Sequence, residues 1–469
     1  MKRNPDILTL GYGNKLINTL WIPIKEISGL KIMHLIHPSF TRSMNERNIS
    51  MENKDEIIYI NDNLPVSLPS ANFEYIDYLD SLSDFGINNC ILADSFLSKN
   101  EYSDSLKFIS FIALRMRTLF LEIKPKVIIS GFEGFHSSLS MFISKELNIP
   151  WYAVVYSSLP KGYSGFSNTL DTRNTRSFVD FKLDTKKELA KITYNKFISK
   201  KVGADINVIE SDTISVLKNI PIRLKNLIYI YKRYIKGEQS SYLHRSLYSS
   251  FRHYLRQRFN QISHKFIKFE TKPKEGQLFF FYPIHMQPEM SIDVWSPFLS
   301  EQINIIKIIS RTLPPSTILY VKLHPLDAYN WSYSQIKEIE KIAGVNIAAA
   351  FSPSRLFLEK AELVFAIQGT AAYEGALLGK KVITFGRNMV EDFKNVYRIK
   401  DLNSIKQKIN NILLEPNSSK AEVINGLTLY LSRLAPGVHN NWEKSPTNKQ
   451  LKDFTIHLQA LLKNVEYNN

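Results

Sequence analysis

Apolar runs of strand length alternate along this chain with segments whose apolar positions recur every three to four residues, and they do so in two separate stretches. In the first, apolar runs fall at 31–36, 56–60, 126–130 and 149–156, and amphipathic segments at 105–123 and 137–147 bracket the third run. Short, nearly continuous apolar runs are what strands covered on both faces look like, whereas three-to-four spacing marks one face of a helix. Helix, strand, helix, strand in that order predicts a parallel sheet. The second stretch opens with Leu278-Phe-Phe-Phe-Tyr282. It continues with helices at 297–312, 332–343, 354–360 and 371–378, and with strands ending at His324 and at 345–349, 363–367 and 382–385. That alternation predicts a second α/β unit.

Between the stretches the pattern changes. Residues 160–174 are rich in Gly, Ser and Asn and read as a long loop. Residues 185–268 read as mostly helical, with breaks at Pro221 and near Gly237, and the chain from 420 onward reads as helical with an interruption at Pro436-Gly437. The expected division is an N-terminal Rossmann-like lobe at 1–175, a basic helical insertion at 176–272, a C-terminal Rossmann-like lobe at 273–425, and helices at 426–469 that pack back on the first lobe. A chain of 469 residues exceeds what one hydrophobic core serves, which agrees with two lobes.

Composition narrows the class. Hydrophobic residues make up 44% and aromatic residues 12%, as in folded proteins rather than disordered ones. The single cysteine, Cys90, excludes an intramolecular disulfide and a cysteine-rich metal site, and favours a reducing compartment. Met1-Lys-Arg-Asn-Pro-Asp6 is followed by no apolar run of signal-peptide length, and no apolar run approaches the length needed to span a bilayer, so the expected location is the cytoplasm.

The formal charge of +16 is unevenly placed: between Leu217 and Lys268 twelve Lys and Arg stand against one acid, Glu238. These cations interleave with Tyr, Phe and Leu, a composition suited to a helix on the anionic inner face of a membrane. It equally suits a polyanionic glycan or RNA, or a solvated insertion with an aromatic core face.

Candidate chemistry clusters at strand ends. Lys322, His324 and Pro325 close one strand, and the alternation of Lys322 and His324 with Val321 and Leu323 puts both on one side of it. A cation and an imidazole at the carboxyl edge of a sheet stabilise charge developing on a leaving phosphate. Taken alone, His324 fits equally well as a histidine satisfied by a carbonyl before a turn. Gln368-Gly369-Thr370 follows another strand and opens a helix, where backbone N–H groups attract anions and Gly369 lets a phosphate approach closely. The alternative is an ordinary turn with Thr370 as N-cap. Glu374, one helical turn on, is placed to accept hydrogen bonds from sugar hydroxyls, or is a carboxylate stabilised by the helix dipole. A third loop, Tyr282 to Glu289, offers His285, Gln287 and Glu289. In the first lobe, Ser130-Gly-Phe-Glu-Gly-Phe-His136 presents Glu133 between glycines and aromatics, where desolvation raises a carboxyl pKa toward that of a general base.

The combination Tyr-Pro-x-His-x-Gln-Pro-Glu, Val-Lys-x-His-Pro and Gln-Gly-Thr-x-x-Tyr-Glu-Gly-x-x-x-Gly-Lys-Lys-Val resembles the capsule polysaccharide biosynthesis family of GT-B glycosyltransferases, which includes bacterial Kdo transferases. More distantly it is similar to bacterial sialyltransferases and poly-glycerophosphate transferases. The resemblance implies two Rossmann-like lobes facing a central cleft, with a nucleotide donor in the second lobe and an acceptor in the first. It implies that His324 contacts the donor phosphate and assists departure of the nucleotide, that Gly369 and Thr370 bind phosphate, and that Glu133 is the base. The expected donor is a CMP-linked acidic sugar such as Kdo or sialic acid, and the acceptor a bacterial surface polysaccharide or glycolipid. Two positions depart from the sialyltransferase pattern: Phe132 stands where the first acid would be, and Gly369-Thr370 replaces a Ser-Ser or Ser-Thr pair.

The chain contains no Asp-x-Asp, the pair with which GT-A transferases hold a divalent ion, so a metal-independent reaction without a cofactor is the expectation. Three other readings stay open: a GT-B transferase using UDP- or GDP-sugars, a nucleotide-sugar epimerase on the same fold, and a basic nucleic-acid-binding protein working through 217–268. The last uses none of the polar loops, and no nucleic-acid partner is expected.

Overall fold

The computed structural model describes residues 4–36, 56–60, 65, 67–82, 85–131, 134–180, 182–200, 228, 231, 247–294, 296–438 and 445–468. The chain divides into two compact units, Met1–Leu183 with Arg233–His244 and Leu431–Asn469, and Asp184–Lys232 with Arg245–Tyr430. Each is built on its own sheet, and the expectation of two Rossmann-like units is borne out.

In the first unit the strands, numbered along the chain, are β1 (Ile7–Leu10), β2 (Ile32–Ile36), β3 (Ile57–Tyr59), β4 (Val127–Ser130), β5 (Trp151–Tyr156) and β6 (Tyr163–Ser167), joined by the short β13 (Ala435–Pro436). Their order is β13-β6-β5-β4-β1-β2-β3. β1 was not singled out by its pattern, because four residues, Ile-Leu-Thr-Leu, are too few to display a period. It is nonetheless an interior strand: Ile7 lies opposite Ile32 on one side and Val127 on the other, and all four of its residues are buried. From β1 the chain moves outward to β2 and β3, then returns to β4 and β5 on the other side, so the strand order reverses between β1 and β4.

The amphipathic segments become helices Tyr102–Ile123 and Phe135–Glu146. The first buries Ile109, Ile112, Met116, Leu119 and Ile123, the three-to-four spacing of its sequence, and stops at Lys124, which turns left-handed ahead of Pro125. The C-terminal helix Asn448–Asn468 joins the same unit. Its Leu451, Phe454, Leu458, Leu461 and Val465 enter the core, and Phe454 meets the Trp21 ring edge-on at 6.2 Å.

One expectation is overturned. The stretch read as a long loop at 160–174 contains β6, paired antiparallel with β5 and with β13. Its Gly and Ser content, which looked like loop composition, reflects close approach. A Cβ at Gly165 would lie 2.6 Å from Thr175 Cγ2 and 2.7 Å from the Arg433 carbonyl, and Ser164 and Ser167 are buried.

The second unit holds β7 (Phe279–Pro283), β8 (Ile318–Lys322), β9 (Val345–Ala348), β10 (Leu363–Ala366), β11 (Lys381–Thr384) and β12 (Val396–Arg398), all parallel, in the order β12-β11-β10-β7-β8-β9. The aromatic run of β7 is buried throughout. Phe281 stacks on Phe357 at 5.4 Å and Phe279 meets Tyr320 edge-on at 5.0 Å, contacts that add to about 1.5–3 kcal/mol of burial per ring. The helix expected at 297–312 is a 3₁₀ turn, Pro297–Leu299, and a separate helix, Gln302–Ser310. Here too the order reverses, between β7 and β10. Of the long insertion, Leu183–Lys200 and Leu247–Ser263 are helical, and the expected breaks at Pro221 and Gly237 lie outside the described residues. Among the described residues no helix is long and apolar enough to cross a membrane.

Candidate functional site

In open α/β sheets a ligand settles beyond the carboxyl ends of the strands where the strand order reverses. In the second unit that point lies between β7 and β10, and the loops after these two strands are the ones that carry His285 and Gln368-Gly369-Thr370.

The β7 loop is held from below by Gln302, which is buried at the start of its helix. Its Oε1 accepts from the His285 backbone N–H at 2.8 Å, while its Nε2 donates to the His285 carbonyl at 3.0 Å and to Gln287 Oε1 at 2.8 Å. Gln287 in turn donates to Asp293 Oδ1 at 2.9 Å, and Asp293 Oδ2 accepts from the Glu289 backbone at 2.8 Å. Gln287, expected to contact the donor, is therefore engaged in bracing its own loop. Gln302 was not foreseen, since nothing local distinguishes it from any polar residue opening a helix.

His285 reaches across to the other loop. Its Nε2 accepts from the Gln368 backbone N–H at 3.4 Å. Burial pushes this imidazole down to about 4, with the nearby charge of His324 acting in the same direction. It is therefore neutral at pH 7, with its proton on Nδ1. Gly369 sits at φ +87°, and a Cβ there would lie 3.1 Å from His285 Cε1. Gly369 is the N-cap of helix Thr370–Leu377, without a side-chain cap, and Thr370 is the exposed first residue inside. The alternative with Thr370 as cap is thus corrected by one residue. An N-terminus without a side-chain cap keeps first-turn N–H groups for an anion. Gln368 is buried and donates to Ser296 Oγ at 3.3 Å, and Glu374 is buried in the second turn of the helix.

His324 follows β8, next to β7 in the sheet. Its Nδ1 accepts from the Leu326 backbone at 3.3 Å across the Pro325 turn, so the neutral ring carries its proton on Nε2. Burial, then the charge of Lys322, lowers its pKa from 6.5. Lys322 does not share that outlook. It is 3% exposed, donates from Nζ to the Ala350 carbonyl at 2.6 Å, and burial brings its pKa down to about 8.

The first unit repeats the device at its own reversal point. The His136 ring packs against Gly11 after β1 and Gly134 after β4: a Cβ at Gly11 would lie 2.3 Å from its Nε2, and one at Gly134 2.5 Å from its Cε1. Both glycines have positive φ, +84° and +96°. His136 was present in the motif that offered Glu133 but was not weighed for itself. Glu133 lies outside the described residues.

Three histidines have pKa values pushed far down by burial: His34 to about 3, hydrogen-bonded to Thr9 Oγ1 at 2.7 Å; His285 to about 4; and His457 to about 4, accepting from the Phe178 backbone at 3.0 Å. The unfolded chain binds protons at these sites near pH 6.5 and the folded chain does not. Their contribution is therefore complete above about pH 6.5 and is lost as pH falls toward 4, at up to about 1.4 kcal/mol per pH unit for each. Urea midpoints measured across that window are expected to fall steadily. A flat profile would mean that these rings become charged inside the folded protein.

The resemblance read from the motifs is borne out: residues 180–402, which carry all three polar loops of the second unit, match the model of a family described as capsule polysaccharide biosynthesis protein. No curated protein matches the chain. Among solved structures it is similar to Thermosulfurimonas dismutans KpsC, beta Kdo 2,7 transferase, with 11% identity and TM-score 0.33, covering 74% of this chain and 89% of that one. The beta Kdo 2,4 transferase of the same KpsC aligns with 14% identity and TM-score 0.33 over 71% and 87%. UDP-GlcNAc 2-epimerase from Neisseria meningitidis aligns with 11% identity and TM-score 0.27 over 91% and 96%.

Proposed function

We propose that this chain, whose residues 180–402 match the capsule polysaccharide biosynthesis family, is a glycosyltransferase that moves a sugar from a nucleotide donor to a growing surface polysaccharide or glycolipid. The observation that carries this reading is the meeting of the β7 and β10 loops at the reversal point. There a neutral His285, Gly369 in a left-handed conformation and a helix start without a side-chain cap border one spot, with His324 close enough to influence His285 electrostatically. Those groups suit a phosphate.

The donor phosphate lies on the N–H groups at Gly369 and Thr370, and His324 donates from Nε2 to a phosphate oxygen. The acceptor hydroxyl attacks the anomeric carbon, its proton passes to Glu133, and the bond from that carbon to the phosphate oxygen breaks. The negative charge left on the nucleotide is met by the same N–H groups and by His324, while Lys322 acts at a distance through its field. In this scheme the reaction needs no metal, and the preferred donor is CMP-linked, as the resemblance of the motifs implies.

Two measurements test the scheme. In thermal-shift titrations with CMP, CDP, UDP, GDP and ADP, CMP is expected to raise the melting temperature most, since a ligand confined to the folded state stabilises it. A preference for UDP or GDP would move the protein to the corresponding sugar donors, and no shift with any of them would remove the nucleotide site. Glu133→Gln is expected to lower turnover by about 10²-fold or more and to leave the CMP shift unchanged. Equal losses in both would make Glu133 a binding residue.

A further inference from the structure

The helix Leu247–Ser263, with the 3₁₀ turn His264–Phe266 that follows, is built inside out. Toward its own unit it presents polar groups. Gln257 Nε2 donates to Asn330 Oδ1 at 3.1 Å, Asn260 Nδ2 donates to the Tyr329 carbonyl at 2.9 Å, and the His264 ring pairs through Nε2 with the Trp331 carbonyl at 2.9 Å. Away from it point Phe251, Leu255, Phe259, Ile262 and Phe266, each between 49% and 75% exposed. At 100° per residue these five positions fall within an arc of about 80°, opposite Gln257, Asn260 and His264. Water-soluble helices ordinarily bury such a stripe, and a continuous exposed one marks an interaction surface.

The borders of the stripe identify the partner. Arg252 and Arg256 lie along one edge, Arg258 and Lys265 along the other, and no acidic residue occurs between 247 and 269. We propose that this face lies on an anionic lipid bilayer, with the aromatic and aliphatic side chains at the acyl boundary and the flanking cations among the headgroups. A second copy of the chain is a poorer cover, because two such stripes face to face would oppose cation to cation. The helix is anchored at 329–331, a few residues beyond His324, so docking would hold the loop of the proposed phosphate contact near a lipid-borne acceptor. Lipid binding itself does not depend on the transferase reading.

Flotation of the full chain with phosphatidylcholine vesicles, with and without phosphatidylglycerol, tests this. The protein is expected to float with the anionic vesicles only. The double variant Phe259→Asp/Phe266→Asp and the double variant Arg252→Glu/Arg256→Glu are each expected to lose binding by about tenfold or more. Leu414→Asp, which alters an exposed leucine on the separate helix Ile405–Leu414, is expected to bind like the parent. Failure of the parent to float overturns the proposal, as does undiminished flotation of the phenylalanine variant with an unchanged melting curve. A dimer seen by light scattering and dispersed by that variant would assign the stripe to a second copy instead. A chain that floats but transfers no sugar would keep this inference and sink the one above.

Discussion

Replacing His324 with alanine is expected to lower kcat by about 10²- to 10³-fold, the usual cost of removing one donor from a site of developing negative charge. The fold should tolerate the change. His324 lies past the end of β8 and is only partly buried, and the one described hydrogen bond of its ring is accepted from the nearby Leu326 amide. Alanine removes the ring and leaves the Pro325 turn with its Asp327-to-His324 backbone hydrogen bond. Because the pKa of the ring is lowered, it is neutral near pH 7, so the loss should appear as a missing hydrogen bond to the departing phosphate rather than a missing positive charge. The measurement is steady-state transfer beside a melting curve. Turnover within about threefold of the parent, at equal stability, would take His324 out of the reaction.

The second large effect is expected from Gly369→Val. At φ +87° a β-branched residue is strained, at a cost on the order of 1–3 kcal/mol, and its Cβ would press on His285 Cε1 from 3.1 Å. His285 cannot yield easily, since Gln302 holds its backbone from both N–H and carbonyl. The strain must therefore relax at the start of helix Thr370–Leu377, turning its first N–H groups away from the ligand. The nucleotide-induced thermal shift should disappear and the KM for the donor should rise by about 10²-fold, with Gly369→Ala intermediate. A full shift in the valine variant would show that the nucleotide binds elsewhere.

Much of this was legible before any coordinates. Five of the six strands of the second unit, β7 through β11, were readable because each is a short apolar run set off by helical spacing, and they fall within a residue or two of their expected places; the three-residue β12 was too short to show a pattern. The loops that hold His285, His324 and Gly369 were identifiable because a strand ending in His, Gly, Pro or Gln interrupts an otherwise apolar pattern. Lys322 was harder. Alternation placed it beside His324, but only the position of Ala350, in the turn after β9, shows that its ammonium is already engaged. That Gln287 braces its own loop through Asp293 and Gln302 was hidden for the same reason.

The amino-acid sequence by itself determined the kind of architecture, two parallel-sheet units, and the loops from which a phosphate site is built, because burial on both faces of a strand is written locally as apolar periodicity. Tertiary structure alone decided that the four-residue β1 is an interior strand of its sheet, paired on both sides, and that Gly165 belongs to a strand. It also decided that Gln302 supports the β7 loop, and that the apolar stripe of helix Leu247–Ser263 faces outward while its polar side binds residues 329–331. Periodicity records how apolar each face is. Which neighbour that face meets is determined by residues distant along the chain, so the partners of Lys322, Gln287 and Asn260 become visible only when the chain is folded.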